Sequence, residues 1–213
     1  MQYWDTNLQL DQTDMSTDRR DLDHKLRRLA ATQSGYFSAA QALDIGYSYP
    51  VQTYHTQKDN WQRVARGIYR FPEWPVGDHD DLVRWTLWSR GLAVISHDTA
   101  VSVHDLADVN PSRVHLTVPP GFRAAANGVV LHHGELAEVD VWDREGYRIT
   151  TPFRTALDVA SGELSLEQLT LVVRNVCEPA PTTAPQELRD AAERIGHRAA
   201  LRMERALRGA DLL

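Results

Sequence analysis

Apolar residues at Leu22, Leu26, Leu29 and Ala30 recur three and four positions apart, with Lys25, Arg27 and Arg28 between them, the pattern of a helix that buries one face. Gly35 ends it. Tyr36 and Phe37 predict a short extended piece, and Ser38 is a good N-cap for a second short helix that turns Ala39, Ala42 and Leu43 inward before Gly46 stops it. For a third helix, Ser48 is the cap and Pro50 sits in the first turn, where its missing N–H costs nothing. Val51, Tyr54 and His55 are expected to form the apolar side of this helix, which points Tyr49, Gln52, Thr53, Thr56 and Gln57 away from the core. After the turn pair Asp59 and Asn60, the stretch from Trp61 to Phe71 reads as two short strands joined at Arg66 and Gly67. Three helices and a basic hairpin over residues 19–74 predict a winged helix-turn-helix.

Further along, Asp78 opens a helix with Leu82, Trp85 and Trp88 on one side, and Ser96 caps another. The alternation Val114, Leu116, Val118 and the stretches 129–131, 139–142 and 147–149 read as strands. Thr151-Pro152 and Ser165 each open a helix. Residues 78–178 therefore predict a small α+β domain. The stretch PAPTTAP over residues 179–185 is a stiff linker, and beyond it Leu188, Ala192, Ile195, Ala199, Met203 and Ala206 run down one side of a single amphipathic helix over residues 186–208. The expected fold class is α+β: an N-terminal winged helix-turn-helix, a small α+β domain and a C-terminal helix.

Composition changes this picture through the distribution of charge. The net charge of -6 argues against a nucleic-acid partner, but it is an average over unlike parts. Residues 19–70 hold nine Lys or Arg against four Asp or Glu, whereas residues 71–213 hold 14 against 21. A basic module is joined to an acidic body, a split that points to a nucleic-acid face. Residues 1–18 carry four Asp, no base and no periodicity, so they are expected to form a disordered acidic tail, with Met15 a second candidate start. The single Cys177 excludes an intrachain disulfide, no apolar run reaches bilayer-spanning length, and the N-terminus lacks the basic segment of a secretory signal; a cytoplasmic location follows.

Within the basic module two kinds of group separate. Tyr49, Gln52, Thr53, Thr56 and Gln57 offer amides and hydroxyls able to bond base edges in a major groove, while Lys58, Arg63, Arg66 and Arg70 supply charge for phosphates. These nine residues are the expected contacts to double-stranded DNA. Three small helices and a hairpin also serve as protein-interaction modules, the competing use of the same pattern.

The stretches GYFSAAQALDIG over residues 35–46, YSYPVQTYH over 47–55 and above all WQRVARGIYRFP over 61–72 resemble the AbiEi-type antitoxins and transcriptional regulators of type IV toxin–antitoxin (abortive infection) systems. The resemblance continues through ISHDTA over 95–100, VNPSRVHLTV over 109–118 and ITTPFRTALD over 149–158. It implies a DNA-binding repressor of its own toxin operon, whose partner gene encodes a nucleotidyltransferase-like toxin. A stand-alone winged-helix regulator without a toxin is the alternative.

No catalytic residue, metal site or cofactor is expected. A restriction-type nuclease needs an acidic pair for Mg2+ and usually a Lys beside it, and no Lys follows Lys58; Glu135, Glu138, Asp140 and Asp143 are the acids that remain for such a role. Asp21-Leu-Asp23 and Asp78-His-Asp80 have the paired acids of a nucleotidyltransferase, but no Gly-Ser turn precedes them. Histidines 97, 104, 115, 132 and 133 tempt a zinc reading. The first two are seven apart on one helix and the last two face opposite ways on a strand, so their spacing argues against it. Trp4, Trp61, Trp74, Trp85, Trp88 and Trp142 are expected to be core or interface anchors.

Overall fold

A computed structural model describes residues 6–178 and 184–213, with side chains described from residue 19 onward. The chain divides into two units, Met1–Trp88 and Ser89–Leu213, with α+β structure in each.

The first unit opens with α1 (Thr6–Ala31). No Gly or Pro occurs between residues 6 and 31, so nothing in the backbone stops the helix ahead of its leucine-bearing face. The disordered tail expected over residues 1–18 is thus helical from Thr6, and residues 1–5 lie outside the described residues. Next come β1 (Tyr36–Ser38), α2 (Ala39–Ile45), α3 (Tyr49–Gln57), β2 (Gln62–Ala65), β3 (Ile68–Arg70) and α4 (Asp80–Trp88). Ser38 closes a capping box with Gln41: the Gln41 amide donates to Ser38 Oγ at 3.1 Å, and the Ser38 amide donates to Gln41 Oε1 at 2.8 Å. β3 lies between β1 and β2, antiparallel to both. Leu26 and Ala30 of α1 close one side of a core built from Phe37, Ala42, Tyr47, Trp61 and Phe71. The Phe37 ring stands edge-on to Trp61 at 4.9 Å and tilted against Phe71 at 5.0 Å.

A boundary after residue 74 cuts this unit short. α4 packs on β1 and β3 and belongs with them, because it brings Asp80 to the buried Arg70. Trp74 sits against Gly35, whose φ of 82° is a left-handed conformation; a Cβ there would overlap the Trp74 side chain.

The second unit runs through β4 (Val94–Ile95), α5 (His97–Val103), β5 (Val114–Val118), β6 (Val129–His133), β7 (Val141–Asp143) and β8 (Arg148–Thr150). It ends with four helices, α6 (Pro152–Ser161), α7 (Leu166–Cys177), α8 (Pro185–Ile195) and α9 (His197–Gly209). The sheet order is β6-β5-β4-β8-β7, parallel at β5/β6 and β4/β8 and antiparallel at the other two pairings. Val139 and Asp140, expected to start a strand, belong to a 3-10 turn, Glu138–Asp140, ahead of β7. β4 is two residues long, too short for an alternation to reveal it.

The single helix expected over residues 186–208 is two helices. Gly196 separates them at φ 147° and ψ 169°, a conformation essentially restricted to glycine, so the apolar stripe is folded back instead of extended. α8 and α9 pack on each other and on α6, and α9 also packs on α7. Leu188, Ala192, Met203, Ala206 and Leu207 are buried with Leu169, Val172 and Val173 in one core, so the C-terminal helices are part of the α+β unit. Most of the expected linker, residues 179–183, lies outside the described residues.

Candidate nucleic-acid interface

In α3, Ser48 stands at the N-cap with extended backbone and Pro50 lies in the first turn. At about 100° per residue, the exposed positions form one continuous arc containing Tyr49, Pro50, Val51, Thr53, Tyr54, Gln57 and Lys58. Gln52, His55 and Thr56 turn the other way, and Thr56 is half-buried. The helix is therefore rotated relative to the expected phase: Tyr54 is 55% exposed and Val51 41%, whereas Gln52 is 2% exposed.

Two contacts set this phase. Gln52 Nε2 donates to the Tyr47 carbonyl at 2.9 Å and to the Ala39 carbonyl at 3.1 Å, so the amide ties α3 to α2 and to the loop between them. His55 stacks on Trp61, with centroids 4.7 Å apart and planes at 11°, and burial lowers its pKa, keeping the ring neutral. The Gln52 Nε2 group, donating to two backbone carbonyls, takes the inner face in place of aliphatic Val51, although the buried Oε1 has no partner among the described residues. Gln52 is not a base reader.

Arg70 is the second correction. It shares a face of β3 with buried Ile68, is itself 7% exposed, and pairs with Asp80 at 3.2 Å while donating to the Pro75 carbonyl at 2.8 Å. Its charge is spent on closing α4 over the sheet, and it cannot reach a phosphate.

The remaining predicted residues stay outward. Tyr49 is 65% exposed, and Thr53, Gln57, Lys58, Arg63 and Arg66 are exposed. No ion pair engages Lys58, Arg63 or Arg66 among the described residues. Thr53 Oγ1 donates to the Tyr49 carbonyl at 3.0 Å and Thr56 Oγ1 to the Gln52 carbonyl at 2.8 Å, which commits both hydroxyl protons to the helix backbone. The hairpin turn is fixed beside these helices. Gly67, at φ 69°, offers its carbonyl to the Ala39 amide at 2.8 Å, and Ala39 in turn accepts from Gln52. Arg66 is thus two hydrogen bonds removed from the middle of α3.

Beside this surface a cavity of about 550 Å³ is lined by residues including Asp23, Arg27, His55, Asp59 and Glu73. Arg27 bridges Asp23 at 2.8 Å and Glu73, and the bond to Arg27 holds the Glu73 carboxyl below its usual range.

In the second unit, the acids weighed for a nuclease are dispersed. Asp140 pairs with Arg154 at 3.3 Å, Arg154 also binds Asp158 at 2.8 Å, and Asp143 is exposed beside Arg148. Burial pushes the Asp158 carboxyl up to about 6 despite that arginine. Three histidines do meet, from three elements. His132 of β6 stacks on His97 of α5 with centroids 3.4 Å apart, and its Nε2 lies 3.2 Å from Nδ1 of His115 on β5. Spacing along the chain carried no sign of this, since parallel pairing of β5 with β6 is what brings residues 115 and 132 together. Among the described residues no three His, Cys, Asp or Glu are arranged to hold a metal ion. His104 bonds elsewhere, with Nε2 2.7 Å from the Thr150 carbonyl. Among the described residues no helix is long and apolar enough to cross a membrane.

No curated protein matches the chain. The crystal structure of the RV2827C protein from Mycobacterium tuberculosis is similar in fold, with a TM-score of 0.55 over 85% of this chain and 75% of that one at 13% identity. The model of the AbiEi antitoxin C-terminal domain matches residues 92–208, more than half of the chain and nearly all of the second unit. The matched stretch takes in the sheet, Arg154 of α6 with its partners Asp140 and Asp158, and the helical core that closes on α9. The chain therefore belongs to the AbiEi antitoxin family, and its function is that of an antitoxin in a toxin–antitoxin system.

Proposed function

We propose that this antitoxin is also a DNA-binding repressor of its own operon, acting in the cytoplasm against a nucleotidyltransferase-like toxin. In this reading the first unit is a winged helix-turn-helix in which α2 and α3 form the helix-turn-helix, α3 enters the major groove and the β2–β3 hairpin is the wing. Tyr49, Thr53 and Gln57 face the bases, with Thr56 at the edge of that surface. Lys58, Arg63 and Arg66 face phosphates. The second unit carries the antitoxic activity.

The observation that carries the reading is the join of an outward α3 to unpaired hairpin arginines through Gly67, Ala39 and Gln52. A protein-docking surface has no need of cations placed at one edge of an uncharged helix face, whereas a duplex presents phosphates on both sides of the groove. The test is a salt titration of binding to the operon's promoter and to a scrambled duplex. Arg63→Ala or Arg66→Ala should weaken both complexes equally and reduce the slope of log affinity against log salt by about one. Unchanged slopes for both variants would remove the wing from the interface. Absence of binding by the parent chain to either duplex would end the repressor reading and leave the antitoxin.

A further inference from the structure

We propose that α3 recognises DNA through the C5-methyl groups of thymine, so that the preferred operator half-site is rich in thymine where α3 meets it. This rests on the DNA-binding reading above and specifies what that surface reads. The chemistry of the exposed arc carries the argument. Its large members are Tyr49, Val51 and Tyr54, at 65%, 41% and 55% exposure. In the first unit the only other large hydrophobic group exposed among the described residues is Val76.

The polar groups on the arc are few and mostly committed. The Thr53 hydroxyl proton is used by the Tyr49 carbonyl, leaving an acceptor, and Gln52 is withdrawn into the core. Gln57 retains a free amide, but no Arg occurs in α3 and Lys58 stands only at its end. Guanine displays two acceptors in the major groove and is read by strong donors, above all Arg or Lys. Thymine alone displays a methyl group there, and apolar side chains are its complement.

An exposed apolar helix face also suits a second protein chain. Charge decides between the two occupants. Residues 45–58 contain no Asp or Glu; Lys58 stands at the end of α3, exposed Arg63 and Arg66 lie on the hairpin that follows, and Asp59 is the one acid in the sequence from residue 45 to residue 66. A polyanion with methyl groups on its floor matches both the apolar arc and its cationic border.

The experiment uses the full chain and synthetic duplexes. Enrichment from a random duplex pool should yield a site with thymines at fixed positions. Replacing those thymines by deoxyuridine removes only the methyl groups. Each contacted methyl lost should weaken binding about three- to fivefold, because about one methylene's worth of burial is lost with it. Val51→Ala and Tyr54→Ser should bind the thymine duplex more weakly and lose that sensitivity, while Tyr54→Phe should keep it. Equal affinity for thymine and deoxyuridine duplexes, or sensitivity retained by both Val51→Ala and Tyr54→Ser, overturns the inference while leaving salt-dependent DNA binding intact. If no duplex is bound at all, the repressor reading falls with it. If the parent chain is a dimer in solution and Tyr54→Ser makes it a monomer without changing DNA affinity, a second copy covers this face and the inference is likewise overturned.

Discussion

Truncating Gln52 to Ala takes one donor from two carbonyls and leaves a hole between α2 and α3. The variant should lose about 1–3 kcal/mol of stability, the cost of leaving buried acceptors without their partner, measured by urea denaturation followed through tryptophan fluorescence. Gln52→Leu should recover little, since it fills space without supplying an N–H. Full stability in both variants would mean that the amide does not hold the loop. Arg70 is a stronger case, because its guanidinium and the Asp80 carboxylate are both buried. Arg70→Ala strands a buried carboxylate and should cost about 3–5 kcal/mol, whereas the double change Arg70→Met with Asp80→Leu should restore most of it. A silent Arg70→Ala would return that residue to the list of phosphate contacts.

At the scale of elements, α5, β5 and β6 of the second unit converge on the histidine cluster. Burial, with neighbouring cations adding to it, holds His97 down to about 3 and His132 down to about 4; His115 is also lowered although Asp98 opposes the shift. Arg154 adds to the depression at His97, and His115 and His133 add to it at His132. These rings are neutral in the folded unit and take up protons on unfolding once the pH is below about 6.5. The stability they contribute is therefore present above that pH and is lost progressively as pH falls toward 4 and 3. Asp158 works the other way. Raised to about 6, it binds a proton in the folded state first, and this offsets part of one histidine between pH 6 and 4. Thermal unfolding of the second unit should therefore shift downward between pH 7 and pH 5, and His132→Gln should flatten that dependence. A pH-independent midpoint in the parent chain, or an unchanged slope in the variant, would mean that the cluster titrates normally.

For the whole molecule, the division at residue 88 makes a prediction that a division at residue 74 does not. A fragment of residues 19–88 keeps α4 and the Arg70–Asp80 pair, whereas residues 19–76 lose both the carboxylate and the helix that packs on β1 and β3. The longer fragment should unfold cooperatively, and the shorter one should be less stable. Amide exchange and urea denaturation of the two fragments check this; equal stability would show that α4 is dispensable. At the other end, Arg202 donates to the Gly162 and Leu164 carbonyls, and Arg198 donates to Gly162 at 2.9 Å. These two arginines therefore brace the end of α6.

Local chemistry was legible in the sequence wherever a short-range pattern fixes the backbone. Ser38 with Gln41, Gly46, the Arg66–Gly67 turn, Thr151-Pro152 and Ser165 mark element ends because caps and turns depend on neighbours a few residues away. The α+β class, the strand over 114–118, the first three residues of the strand over 129–133 and the family followed from such stretches. What tertiary structure decided was the fate of polar side chains. A nine-residue helix with polar and apolar groups all around has no periodicity strong enough to set its phase; His55 faces inward as expected, but contacts to Tyr47 and Ala39 put Gln52 beside it in place of Val51 and Tyr54. Arg70 looked like an anchor until a helix ten residues later supplied Asp80. The histidines from positions 97, 115 and 132 met because strand pairing is non-local, and the C-terminal stripe folded back because one glycine permitted it. Sequence determined most of the elements and the caps and turns that bound them; burial, which depends on partners distant in the chain, determined which of their faces remain exposed.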